Sequence, residues 1–274
     1  MEILLIRHGE TDWNRARRMQ GHIDIPLNNE GLRQAKALGA ALASEKLDAI
    51  YTSDLQRAKL TAQAVADIHQ MPLIIDEQLR ERCYGVFEGL KYREVAEQFP
   101  NEFALWQARD LHARFPASER EAETLHDFHQ RSVNAVTTIV KNNPANRMLI
   151  LTHGGVLDCL YREATGMPVD AKREFGIINA AINRLRWDGK KYTIAQWADA
   201  THLEGDGLDE ILLQGLAGGS LLNTHGIVGH YEKHRVAVSG PALCPAVFHQ
   251  GLRVRTPKNN GRPHHTHTPI YIFK

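Results

Sequence analysis

Apolar positions follow two rhythms along this chain. Ile3-Leu4-Leu5-Ile6 and Met148-Leu149-Ile150-Leu151 are unbroken apolar runs, which predicts strands buried on both faces. Ala49-Ile50-Tyr51-Thr52 and Pro72 to Ile75 predict two more strands. Helical spacing marks Leu32 to Leu42, with Asn28 or Asn29 placed to cap its start. Leu55 to Ile68 is an alanine-rich helix with Ser53-Asp54 as its expected cap. Segments 91–97 and 102–113 predict short helices, Glu121 to Lys141 a long one, and Val156 to Ala164 another that Gly166 stops. Ala181 to Trp187 and Tyr192 to Trp197 flank Asp188-Gly189, a hairpin signal. Strand and helix alternate to about residue 200, which predicts an α/β fold.

The rhythm then stops. No acidic residue follows Glu232, five of the eleven prolines lie between 241 and 269, and seven of the fifteen histidines lie between 225 and 267. The chain therefore divides into a domain at 1–204 and an irregular, poorly ordered C-terminal extension at 205–274. Within the extension, the His264-His265 and His267 cluster is a weak, incidental metal binder at most. A net charge of +1 on 274 residues gives no field that would select nucleic acid or a membrane. Three scattered cysteines, Cys83, Cys159 and Cys244, fit a reducing cytoplasm better than a disulfide framework. No apolar run reaches the roughly 20 residues of a membrane-spanning helix, and Met1 leads directly into a strand, leaving no room for a signal peptide.

Candidate chemistry gathers at strand ends. The first strand runs into Arg7-His8-Gly9-Glu10-Thr11 and the fourth into Thr152-His153-Gly154-Gly155. Ligands bind at the carboxyl edge of open α/β sheets, so two imidazoles are expected to meet over one site. Arg57, just inside the helix after the second strand, and Glu81, in a polar loop after the third, reach the same edge. Two arginines, two histidines and a carboxyl suit phosphoryl transfer. Guanidinium forks neutralise phosphate oxygens, and a neutral imidazole attacks in line. The arginines help keep that imidazole unprotonated. A carboxylic acid protonates the leaving alkoxide, and a dianionic substrate nearby favours its protonated form. The second imidazole, as a cation, stabilises the group in flight. Backbone amides near Gly9 and Gly154 are further candidate donors.

Taken singly, each residue has a plainer reading. A histidine after a strand is often structural, Arg57 suits a surface ion pair, and Glu81 a solvated loop. Four motifs in order reverse those readings. Arg7-His8-Gly9-Glu10-Thr11, Ser53-Asp54-Leu55-Gln56-Arg57-Ala58, Leu79-Arg80-Glu81 with Tyr84-Gly85 and Glu88-Gly89, and Thr152-His153-Gly154-Gly155 together resemble the histidine phosphatase superfamily, the group of cofactor-dependent phosphoglycerate mutases and their phosphatase relatives. The resemblance spans roughly residues 1–200. It implies a three-layer α/β/α sandwich with a mostly parallel central sheet. It also implies His8 as the phosphorylated nucleophile, Glu81 as the proton donor, and Arg7, Arg57 and His153 as the phosphate pocket. Asn14 matches a further phosphate contact, Gln20-Gly21 falls in the substrate-contacting loop, and no metal is implied.

The resemblance leaves mutase and phosphatase to be separated. Mutases of the family carry a long insertion before the second His-Gly strand that brings an arginine pair to the substrate carboxylate. Here Arg114, Arg120 and Arg131 stand apart, and Phe87-Glu88-Gly89-Leu90-Lys91-Tyr92 is closer to the phosphatase branch. The expected function is thus a phosphomonoester hydrolase acting on a small phosphorylated metabolite without a cofactor. A phosphoglycerate mutase using 2,3-bisphosphoglycerate is the alternative, and a non-catalytic phosphate-binding scaffold the third reading. Sugar phosphates, phosphoglycerate derivatives and ribazole phosphate are candidate substrates, and a homodimer is open. Tyr84 is read as core or substrate wall. Glu123 is read as a helix-face residue, since Ala122 replaces the glycine that precedes such a glutamate in some relatives. Cys83 has no dedicated base and is read as inert.

Overall fold

The computed structural model describes residues 1–203. Six strands, β1 (Glu2–Arg7), β2 (Ala49–Thr52), β3 (Leu73–Ile75), β4 (Arg147–Thr152), β5 (Ile182–Trp187) and β6 (Tyr192–Asp199), form one sheet in the order β3-β2-β4-β1-β5-β6. Pairing is parallel from β3 through β1, while β5 joins β1 and β6 joins β5 antiparallel. The helices are α1 (Asp12–Arg15), α2 (Asn29–Leu42), α3 (Gln56–His69), α4 (Tyr92–Gln98), α5 (Pro100–Gln107), α6 (Leu125–Asn142) and α7 (Gly154–Thr165).

The unbroken apolar runs have the cause their pattern predicts. Successive side chains of a strand point to opposite faces. On β1, Ile3 and Leu5 pack with Met148, Ile150, Val136 and Leu157 on the face covered by α6 and α7. Leu4 and Ile6 pack with Leu149, Leu151, Leu38 and Val65 on the face covered by α2 and α3. Helices on both faces make a three-layer α/β/α sandwich, and both central strands must be apolar throughout. A third, smaller cluster of Met19, Phe87, Val95, Phe103, Phe115 and Ala122 supports the segment between Tyr84 and Ala122.

Most predicted elements stand within a residue or two of their expected bounds. The helix expected at 102–113 ends at Gln107, because Arg109 takes a left-handed backbone with φ 55°. The helix expected from Glu121 begins at Leu125, where the Thr124 hydroxyl accepts the Asp127 amide at 3.0 Å. Asn28 caps α2, its side chain accepting the Gly31 amide. Ser53-Asp54 does not cap α3 in the expected manner: Leu55 holds the cap position without a side-chain bond. Both polar residues are engaged elsewhere, Ser53 with His153 and Asp54 with Arg80. The extension at 205–274, with its histidine cluster and Cys244, lies outside the described residues.

Candidate active site

The pairing of β1 with β4 places the two histidines side by side. Arg7 stands opposite Thr152, so His8 and His153 leave the sheet together, and the His8 amide donates to the Thr152 carbonyl at 2.9 Å. Their rings lie 5.2 Å apart at 59°. His8 Nδ1 is 2.7 Å from the Gly9 carbonyl, which can only accept. That contact assigns the proton to Nδ1 and leaves the lone pair on Nε2. Asn179 Nδ2 donates to the His8 carbonyl at 2.8 Å and fixes the backbone. Burial, then the charges of Arg57 and Arg7, hold the His8 imidazole well below its ordinary range. The ring is a neutral imidazole.

Gly9 must be glycine, because a Cβ there would lie 2.7 Å from the Gly31 carbonyl oxygen at the start of α2. Its amide donates to Thr61 Oγ1 at 3.0 Å, one turn after Arg57 on α3. The amide expected to serve phosphate is therefore already committed.

His153 is fully buried at the N-cap of α7, its Nε2 2.9 Å from Ser53 Oγ and its Nδ1 without a partner among the described residues. Burial, then Arg57, His8, His22 and Arg7, hold its imidazole well below the ordinary range. The expected cation is thus a neutral ring in this structure. Protonating it calls for the negative charge that a bound phosphate brings.

Arg57 spends two nitrogens on the protein: Nη1 reaches the Ile23 carbonyl at 2.9 Å and Nη2 the Gly21 carbonyl at 2.7 Å. Its buried Nε has no protein partner among the described residues. Burial lowers the guanidinium to about 10, so it stays a cation at neutral pH. Arg7 is buried too, with Nη1 on the Ile177 carbonyl at 3.1 Å. Asn14 Oδ1 accepts the Thr11 amide and hydroxyl, both at 3.0 Å, which orients its side chain. Gln20 leaves a buried Oε1 unpaired among the described residues.

Glu81 Oε1 accepts the Arg82 amide at 2.8 Å and Oε2 the Gly155 amide at 3.0 Å. A Cβ on Gly155 would lie 2.2 Å from Glu81 Oε1 and 2.8 Å from the Phe128 ring. Gly155→Ala is therefore expected to displace the carboxyl and to lower kcat/KM on alkyl phosphates by about 10²-fold. Steady-state assays beside an unfolding curve check this, and an unchanged kcat/KM contradicts it.

Arg7, His8, Asn14, Gln20, Gly21, Arg57 and Glu81 line one open cavity. Trp13, Arg17, Arg18, Met19, Tyr84 and Tyr92 complete its wall, and Tyr84 also packs against the third hydrophobic cluster. Two segments tie that wall together, since the Tyr92 amide donates to the Arg17 carbonyl and Met19 exchanges amide bonds with Gly89 and Leu90. Gly154 is not part of the lining; it is the first residue of α7, beside His153. Among the described residues, no group of three or more His, Cys, Asp or Glu is arranged to hold a metal, and no helix is long and apolar enough to cross a membrane. Burial pushes the Cys83 thiol up to about 11, in keeping with an inert side chain.

Residues 3–200 match the model of the histidine phosphatase superfamily, branch 1. The chain belongs to this family. Phosphoglycerate mutase-like protein 4 of Arabidopsis thaliana is 35% identical over 209 residues, covering 75% of this chain and 88% of the relative. A metal-independent phosphoserine phosphatase of the same plant is 36% identical over 208 residues, covering 75% and 84%. The solved structure of Bacillus stearothermophilus YhfR superposes with a TM-score of 0.67 at 36% identity, covering 74% of this chain and 99% of that one.

Several supporting residues of this histidine phosphatase escape sequence reading. Ser53 reads as a helix cap and Thr61 as an interior position of α3, so neither stands out beside Arg57. Asn179 lies 171 residues from the carbonyl it holds, and nothing local marks it.

The two buried rings also set a pH dependence of stability. Both imidazoles are held below their unfolded value of about 6.5, so the unfolded chain binds protons that the folded chain excludes. Their contribution is full above pH 6.5 and is lost as pH falls below it, by at most about 1.4 kcal/mol per pH unit for each ring. Urea unfolding at pH 7 and pH 5 should show this loss, and a shallower one in a His8→Asn, His153→Asn double variant. An unchanged slope in that variant contradicts the assignment.

Proposed function

We propose that this chain is a phosphomonoester hydrolase working through a phosphohistidine at His8 on a small phosphorylated metabolite. The observation that carries the reading is the neutral His8 ring, pinned through Nδ1 with Nε2 available, beside two buried guanidiniums. In the first step Nε2 attacks phosphorus and the bond to the ester oxygen breaks. Glu81 passes its proton to the departing alkoxide. Arg7, Arg57, Asn14 and Gln20 hold the transferring oxygens, and His153, behind His8 with ring centroids 5.2 Å apart, adds a charge once the phosphate favours its protonated form. In the second step water attacks the same phosphorus and gives its proton to Glu81. The N–P bond breaks, and inorganic phosphate and neutral His8 are restored. No step calls for a metal.

Phosphatase is favoured over mutase because none of the arginines between Arg82 and Arg131 lines the cavity. Arg114 is occupied by the Ala122 carbonyl and Asp127. The catalytic unit is taken as residues 1–204, with 205–274 an extension, and the free, buried Cys83 and Cys159 suit a reducing cytoplasm. Incubation with 4-nitrophenyl phosphate, with 3-phosphoglycerate, and with 3-phosphoglycerate plus 2,3-bisphosphoglycerate tests the reading. Release of inorganic phosphate is expected. Isomerisation without release assigns the mutase instead, and silence in all three assays favours the scaffold or a narrow substrate outside the panel.

A further inference from the structure

We propose that Glu123 and Arg131 form a clamp that positions Glu81 for proton transfer without touching substrate. The inference rests on Glu81 being the proton donor of the reaction proposed above. Glu81 belongs to no strand or helix; it lies between two single 3-10 turns, Glu77–Leu79 and Gly85–Phe87. A carboxyl on such a segment has no ladder of backbone bonds to fix it, and proton transfer tolerates little misplacement.

Arg131 supplies that restraint from α6. Its Nη1 donates to the Gln78 carbonyl at 2.7 Å and the Arg80 carbonyl at 3.0 Å. Its Nη2 donates to the Glu81 carbonyl at 3.1 Å and to Glu123 Oε2 at 2.8 Å, and its Nε donates to Glu123 Oε1 at 2.7 Å. Glu123 extends the grip: Oε2 accepts the Cys83 amide at 2.9 Å, and its carbonyl accepts Arg82 Nε at 3.0 Å. Residues on both sides of Glu81 are thereby held by one ion pair. His22 Nε2 adds a second contact to the Glu81 carbonyl at 2.8 Å.

The pair is largely buried, with side chains 17% and 20% exposed, so water screens it weakly. Burial alone would push the Glu123 carboxyl up, but Arg131 and the Cys83 amide hold it below the usual carboxylate range. Neither residue lines the cavity, which makes both positioning residues. Only a guanidinium spans this many acceptors at once, so lysine is no substitute. The helix-face reading of Glu123 is replaced: Glu123 precedes α6 and closes the clamp.

A purely structural ion pair and a positioning clamp differ in one readout. A nitrophenolate leaves without help, whereas an alkoxide needs the Glu81 proton. The value kcat/KM reports the step that breaks the ester bond, so it is compared for O-phosphoserine and 4-nitrophenyl phosphate in Arg131→Gln, Arg131→Lys, Glu123→Gln and Glu81→Gln. The clamp predicts a loss on O-phosphoserine about tenfold or more greater than on 4-nitrophenyl phosphate, in the direction Glu81→Gln itself shows. Equal losses on both substrates, or none, in clamp variants while Glu81→Gln discriminates overturn the clamp. Absence of discrimination in Glu81→Gln overturns the donor role instead, and the clamp with it. If Arg131→Gln loses cooperative unfolding, Arg131→Lys and Glu123→Gln carry the comparison.

Discussion

His8→Ala is expected to lower kcat on 4-nitrophenyl phosphate by about 10⁴–10⁶-fold while leaving the fold intact. The reason is geometric as much as chemical. His8 is the imidazole that lines the cavity, and its Nδ1 contact with Gly9 commits Nε2 to that space. His153 cannot take over, because its Nε2 is engaged by Ser53 and its ring lies outside the lining. Water could occupy the vacated volume, but no neutral base of matching position remains to activate it. On the stability side the variant loses one hydrogen bond to a carbonyl, worth about 1 kcal/mol. Circular dichroism and an unfolding curve separate the two effects. Activity within tenfold of the parent protein contradicts the assignment of the nucleophile.

Arg57→Lys is the second large effect, and it falls on a substitution that keeps the charge. Arg57 holds the loop through the Gly21 and Ile23 carbonyls, and its buried Nε, without a partner among the described residues, is the donor proposed for a phosphate oxygen. An ammonium group has three donors on one atom and cannot reach three separated acceptors. Either the loop carrying Gln20 and Gly21 loosens, or the phosphate loses its contact. A loss of about 10²–10³-fold in kcat/KM follows, as for removal of a donor that stabilises developing charge. The buried Gly21 carbonyl and the half-buried Ile23 carbonyl losing their partner destabilise the fold by about 1–3 kcal/mol as well. Competitive inhibition by inorganic phosphate reads the binding part directly. A phosphate inhibition constant and a kcat/KM both unchanged in Arg57→Lys contradict this role.

The fold was legible where burial acts through chain-local pattern. β1 and β4 are apolar at every position because helices cover both faces, and that signal needs no tertiary knowledge. His8 and His153 follow directly on β1 and β4, and Arg57 and Glu81 come a few residues after β2 and β3, so their gathering toward one sheet edge could be read from the order of elements. What stayed hidden depends on contacts between distant segments. Glu121 and Glu123 are good helix formers, so propensity extended α6 backward across Glu123, which serves the loop instead. Ser53 and Asp54 carry the chemistry of a helix cap, yet His153 and Arg80 compete for them successfully. Arg131 reads as an ordinary polar helix position until its 50-residue reach to the Glu81 carbonyl is known. Parallel pairing of β1 with β4, rather than any spacing in sequence, brings the two His-Gly motifs side by side.

The central claim is that a phosphoryl group rests on His8. Rapid quenching of the enzyme with radiolabelled substrate, followed by proteolysis and mapping of the label, tests it most directly. The prediction is an acid-labile, alkali-stable label that forms within the first turnover and maps to the peptide containing His8. A label on His153, or turnover with no covalent label at any time, would contradict it.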